Sequence, residues 1–301
     1  MRVTITGATG RIGRRLVDAL RERGDDVTVL SRQPERARAA LGVEAVGWQP
    51  EQEPAPAAAL AGRDGVVHLA GEDVAQRWSA AAKERLRASR ELGTRNLVAG
   101  LRAADPRPGV LVSASAVGYY GPHGDERVTE ATPPGDDFLA GICTAWEREA
   151  AAAEELGLRV VRVRTGVVLD RGGGALARML PFFRLGIGGP VAGGQQRLPW
   201  IHVDDLVAIY LAALDGDAWS GPVNATAPDP PTNKEFSRAL GRALGRPAFA
   251  PVPGLAVRSL YGEMADIVVY GQRAVPERPL ALGFRFAHPD LDPALRSALS
   301  E

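Results

Sequence analysis

Lysine, cysteine and net charge are what this 301-residue chain has least of. Only two of its 36 basic residues are lysines, Lys83 and Lys234, and 36 acidic residues balance the total. With no formal net charge there is no basic field to recruit nucleic acid or an anionic membrane, so any phosphate must be held by a local constellation. The single cysteine, Cys143, excludes a disulfide framework and a cysteine-based metal cluster, and no metal site is expected. No 18-residue apolar run offers a membrane span. Met1 and Arg2 lead straight into a strand-like segment, which predicts no signal peptide and a reducing, cytoplasmic setting. Glycine, by contrast, is plentiful, and the length suits one large domain with a smaller one beside it.

The glycines matter most at the N-terminus, in VTITGATGRIG. Val3, Thr4, Ile5 and Thr6 read as a buried strand; Gly7, Gly10 and Gly13 fall three apart; Ile12, Leu16, Val17 and Leu20 continue at helical spacing. A strand, a glycine turn and a helix opening form a phosphate cradle. A Cβ would block the approach of a pyrophosphate, and the helix N-terminus supplies partial positive charge. The candidate contacts are Gly7, Thr9, Gly10, Arg11, Ile12 and Gly13. With TGATG at the start and G-x-x-G-x-x-G spacing, the chain resembles the extended, epimerase/dehydratase-like branch of the short-chain dehydrogenase/reductase superfamily. The resemblance implies an α/β fold, a Rossmann-type doubly wound parallel sheet with a smaller C-terminal substrate-side domain. The expected division is 1–170 for the cofactor domain, with roughly 200–227 returning to it, and 171–301 for the smaller, interleaved domain.

Asp26 to Ser31 reads as the second strand and ends Leu30-Ser31-Arg32. In such a fold an acid here bonds the ribose 2′-hydroxyl of NAD, whereas an arginine accommodates the 2′-phosphate of NADP. Ser31 and Arg32 therefore point to NADP(H), with Arg36 and Arg38 following. Val43 to Trp48 is the third strand. The fourth exits through His68-Leu69-Ala70-Gly71, similar to the family's VxHLA(A/G) segment, which places Leu69, Ala70 and Gly71 against the adenosine side of the cofactor. His68, inside an apolar strand, reads as a hydrogen-bonded core residue. Ser79 to Ala104 is a long helix with Leu86, Leu92, Leu97, Val98 and Leu101 as its buried stripe, and Arg90 matches a cofactor-contacting position of relatives.

Val110 to Ser115 is the fifth strand, and the resemblance makes Ser115 a substrate-binding hydroxyl. The following AVGYYG is one residue longer than the family's VYG-like segment. The family's catalytic Y-x-x-x-K is missing. Aligned on Trp146-Glu147, Leu139 stands at the tyrosine and Cys143 at the lysine, and none of the five tyrosines has a lysine four residues on. Arg159 to Arg164 is the sixth strand, and Val168 lies where relatives wrap the nicotinamide. Leu176 to Phe183 is an apolar helix. WIHVDDL resembles the branch's (F/W)IHVxD segment, which makes His202 and Asp204 a structural latch. GGGALARMLPFFRLGIGGP, PWIHVDDL and the tail LALGFRFAHPDLDPALRSAL together match a subgroup named for sugar-nucleotide epimerisation that lacks Y-x-x-x-K.

The function these features predict is an NADP(H)-dependent oxidoreductase or epimerase acting on a small polar substrate such as a nucleotide sugar. Tyr119 or Tyr120 beside Ser115 would replace the missing acid/base, with Glu130 and Asp137 as further candidates. Arg164 or Arg197 would hold an anionic substrate group, and residues 186–197 would shape the pocket. The alternative is a cofactor-binding sensor or scaffold without turnover. No nucleic-acid or membrane partner is expected, the assembly is a monomer or homodimer, and Cys143 is chemically bland.

Overall fold

The structure, a computed structural model, describes residues 1–300. Five β-branched or aliphatic runs and two shorter ones supply a seven-stranded sheet: β1 (Arg2–Thr6), β2 (Asp26–Ser31), β3 (Glu44–Gly47), β4 (Gly65–His68), β5 (Val110–Ala116), β7 (Arg159–Thr165) and β10 (Gly221–Ala225). Their order is β10-β7-β5-β4-β1-β2-β3, and every neighbour pairs in parallel. The order reverses between β1 and β4, the place where open α/β sheets bind ligands at their C-terminal edge.

Helices α1 (Arg11–Glu22) and α6 (Val203–Asp215) cover one face, and α3 (Ala80–Ala103) and α4 (Phe138–Ala151) the other; α2 (Pro34–Leu41) links β2 to β3. Along β5, Val110 and Val112 pack with α1 and α6, whereas Leu111 packs with α3 and α4. Along β7, Val161 and Val163 take the first face and Val160 the second. Strand alternation then sends Ser113, Ser115 and Arg164 towards α4. Ser79 caps α3 by accepting from the Ala82 N–H. One expected core residue of that helix, Leu92, is 38% exposed. Its inward stripe runs Leu86, Arg90, Thr94, Leu97 and Leu101, and Leu92 lies off it.

Beyond β7 the chain forms a second ribbon, β8 (Val167–Leu169) beside β9 (Trp200–His202), joined in one apolar cluster with α5 (Gly174–Arg184), α7 (Asn233–Leu244) and α11 (Leu291–Ser300). A two-residue pair joins β6 (Arg127–Val128) to β11 (Arg273–Ala274), and α8 (Gly254–Tyr261), α9 (Asp266–Val269) and α10 (Glu277–Ala281) complete the chain. The His202 ring stacks on His288 at 3.8 Å between centroids and its Nδ1 accepts from the Asp204 N–H. Asp204 reaches Arg15 of α1, and Asp205 accepts from the Ala287 and His288 N–H groups, so this corner ties α1, α6 and the tail together.

His68 is fully buried, with Thr6 Oγ1 2.7 Å from Nδ1 and Thr94 Oγ1 3.0 Å from Nε2. Burial, and then the Arg90 charge, pushes its pKa down to about 4 from 6.5. Below about pH 6.5 only the unfolded chain takes up this proton, so stability is complete above that pH and falls as pH drops towards 4. Urea denaturation across this window should show a steeper loss in the wild type than in His68→Gln. Parallel curves would assign the loss to other groups.

Candidate functional site

Two clefts border the segment that follows β4. The first, with a volume of about 280 Å³, is lined by Gly7, Thr9 and Gly10, by Ser31 and Arg32, and by Leu69, Ala70 and Gly71. Trp48, Glu72 and Ser89 also line it, contacts the sequence reading missed. Each glycine of the turn has a different task. Gly7 is left-handed (φ +70°), and a Cβ there would lie 2.6 Å from the Leu69 carbonyl carbon. A Cβ on Gly13 would lie 2.5 Å from the Gly7 oxygen. Gly10 is extended (φ −71°, ψ 173°), a conformation open to any residue, and a Cβ would approach only the Gly7 oxygen, at 3.2 Å. Gly7 and Gly13 close the turn, and Gly10 leaves room over it. No side chain caps α1, so the amides of Arg11, Ile12 and Gly13 keep their N-terminal field. These features fit a bound phosphate.

Arg32 is exposed on this cleft, and among the described residues it has no hydrogen bond or ion pair to the protein. Arg38, by contrast, is committed to Glu35 at 2.6 Å and the Ala45 carbonyl at 3.0 Å. Arg90 does not line the cleft but lies beside Gly71, where a Cβ would be 3.4 Å from its guanidinium carbon; it is buried, donating to the carbonyls of Glu72 (3.0 Å) and Leu86 (3.2 Å) with its guanidinium 5.0 Å from the Trp146 ring centroid. Arg11 pairs with Asp170 at 3.7 Å, and Val168 packs against the α1–α6 core.

The second cleft, about 430 Å³, opens at the C-terminal ends of β5 and β7. Ala116, Val117 and Gly118 form one wall, Asp137, Phe138 and Leu139 another, and Thr165, Gly166 and Val167 a third. Glu263, Asp266, Ile267, Tyr270, Gly271 and Gln272 also line it. Leu139, at the aligned tyrosine position, sits so close to Gly118 that a Cβ there would lie 2.4 Å from its Cδ2. Cys143 is buried, and burial pushes its thiol up to about 12.

Ser115, Tyr119 and Tyr120 do not line this cleft. Ser115 is 4% exposed and its hydroxyl donates to Glu147 Oε1 at 2.7 Å. Arg164 grips the same carboxylate through Nε (2.8 Å) and Nη2 (2.9 Å) and donates from Nη1 to the Tyr120 hydroxyl at 2.9 Å. Tyr120 is fully buried and donates to Asn224 Oδ1 at 2.6 Å; burial pushes its phenol up to about 12. Tyr119 is half-buried, its ring centroid 3.5 Å from the Arg164 guanidinium carbon. Burial opposes the charge on Arg164, but Glu147 and Tyr120 outweigh it and hold its pKa above the usual value. The acid in the apolar stripe of α4 and the arginines in RVVRVR were the sequence signal for this network.

The remaining expected groups are likewise occupied. Glu130 Oε1 accepts from the Asn224 and Arg278 N–H groups, and burial raises its pKa. Asp137 lines the second cleft while capping α4 through the Ala140 N–H. Arg197 lines it too, held by Asp125 at 2.6 Å and the Pro230 carbonyl at 3.1 Å. The glycine-rich 186–194 segment packs on 247–252, where Val191 bridges Val252, and does not reach the cleft.

Comparison with known proteins places this geometry. Residues 3–224 match the model of the NAD dependent epimerase/dehydratase family, and residues 252–298 match a domain of unknown function, DUF1731. The epimerase family protein SDR39U1 of Bos taurus is 40% identical, with both chains covered completely. Its chloroplastic homolog in Arabidopsis thaliana is 41% identical over 99% of this chain and 87% of that one. Human SDR39U1 (isoform 2), whose crystal structure is with NADPH, superposes over all of both chains with a TM-score of 0.89 at 36% identity. Among the described residues no helix is long and apolar enough to cross a membrane. The glycine turn, the parallel sheet and the match over most of its length show that the chain belongs to the NAD dependent epimerase/dehydratase family of extended short-chain dehydrogenases/reductases.

Proposed function

We propose that the first cleft binds NADP(H) and that the chain exchanges hydride between this cofactor and a small molecule in the second cleft. The carrying observation is the pairing, in one cleft, of an uncapped helix N-terminus with an arginine that no group of the described residues engages. A relative with NADPH supports the reading. When bound, the cofactor supplies hydride exchange. The turn around Gly10 would hold the pyrophosphate, Arg32 and Ser31 the 2′-phosphate, and Leu69 to Gly71 the adenosine side. Residues 1–170, with 200–227, are read as the cofactor-binding part and the remainder as the substrate-side part.

Ser115 and Tyr120 belong, on this reading, to the buried support behind the site, because both hydroxyls are spent on Glu147 and Asn224. Proton transfer would fall to a group at the second cleft itself, with Asp137 and Thr165 in place. A second reading, a cofactor-bound sensor, is favoured by one observation: Leu139 fills the space beside Gly118 where a phenol would serve. Arg32→Asp tests the shared foundation. A charge-assisted bidentate contact contributes roughly 1.5–3 kcal/mol, so the NADPH-to-NADH ratio of dissociation constants should change at least about tenfold towards NADH. An unchanged ratio would mean that Arg32 does not meet the 2′-phosphate.

A further inference from the structure

We infer that the second cleft takes a neutral, largely apolar carbonyl compound bearing a ring and rejects nucleoside diphosphates. The carbonyl group rests on the proposed hydride exchange, and the other features rest on the cleft alone. Its lining includes Trp78 and Phe138, packed edge-to-face with centroids 5.2 Å apart. The Trp78 indole N–H is spent on the Val74 carbonyl at 3.0 Å, which leaves the ring as apolar contact area. Val117, Leu139, Leu198 and Ile267 continue the lining.

Charge decides against an anion. The lining holds three carboxylates, Asp137, Glu263 and Asp266, and one guanidinium, Arg197. That guanidinium already faces Asp125 at 2.6 Å. Two nearby cations are answered in the same way, Lys83 by Glu263 and Arg258 by Asp266 at 2.9 Å, and Arg273, beside Gln272, is not part of the lining. Arg164, expected to grip an anionic substrate, is 3% exposed with its fork on Glu147. A pyrophosphate needs bidentate arginines or an open helix N-terminus, and desolvating it beside carboxylates without them is unfavourable. A cleft of about 430 Å³ suits a small ring compound.

The test is binding by calorimetry to the NADPH-loaded protein and, in parallel, to the cofactor-free protein. The probes are 2-acetylnaphthalene, its 6-carboxylate and UDP-glucose. The neutral ketone should bind, the carboxylate at least tenfold more weakly, and UDP-glucose should give no heat. Trp78→Ala should weaken the ketone at least tenfold and leave NADPH affinity unchanged. Binding of UDP-glucose, equal affinity for the carboxylate, no binding of the ketone, or indifference to Trp78→Ala would each overturn the inference. Failure of NADPH to bind sinks the proposed cofactor instead, and the charge series on the cofactor-free protein still decides the selectivity of the cleft.

Discussion

Gly10→Val is expected to bind NADPH at least about a hundredfold more weakly than the wild type while remaining folded. The reason is space. Gly10 is extended, so valine meets no backbone prohibition, and its Cβ would press only on the Gly7 oxygen at 3.2 Å, a contact that relaxes by a few tenths of an ångström. The two γ-methyls would add bulk at the α1 N-cap, on the cleft that Gly10 lines and where the pyrophosphate is proposed to sit. Exchanging a glycine N-cap for a β-branched one should cost about 1 kcal/mol of stability, leaving most of the folding free energy intact. Gly13→Val provides the contrast. Its Cβ would lie 2.5 Å from the Gly7 oxygen and 2.6 Å from the Ala8 Cα, so the strand–helix turn itself must move and stability should fall sharply. Fluorescence titration with NADPH and urea denaturation separate the two outcomes. A folded Gly10→Val protein with wild-type NADPH affinity would remove the phosphate from this turn.

Much of the fold was legible because its signals are local. The run Val3–Thr6, the helical spacing through Leu20 and the N-cap Ser79 each fix an element without help from distant residues. The first cleft shares this property: Gly7, Gly10, Ser31, Arg32 and Leu69–Gly71, which line it, sit at strand ends that topology alone brings to one edge. The second site was not legible, because side-chain direction there depends on conformation and on distant partners. Residues 117–120 form a 3₁₀ turn, which sets the Tyr119 and Tyr120 rings edge-to-face at 5.4 Å. Ser115 has the strand parity of Leu111, which meets α3 and α4, and that alternation was readable in the strand itself. The capture of Arg197 by Asp125, 72 residues away, has no local signature.

Arg164→Met should lower the unfolding free energy by about 3–5 kcal/mol, the usual cost of stranding one member of a buried ion pair. Both partners are almost inaccessible, at 3% and 5%, and the guanidinium satisfies both oxygens of Glu147. Without it the carboxylate keeps only the Ser115 hydroxyl among its bonded side chains, and the Tyr120 hydroxyl loses its donor while still donating to Asn224. Glu147→Met should be similarly harmful, since it strands the guanidinium. The double variant should lose much less than the sum, because no uncompensated charge remains and the two sites touch. If Arg164 instead held an anionic substrate group, the single variant would fold normally and change only ligand affinity. Urea denaturation of the four proteins distinguishes these readings: a loss below about 1 kcal/mol in Arg164→Met, or full additivity in the double variant, would show that the pair does not hold this network together.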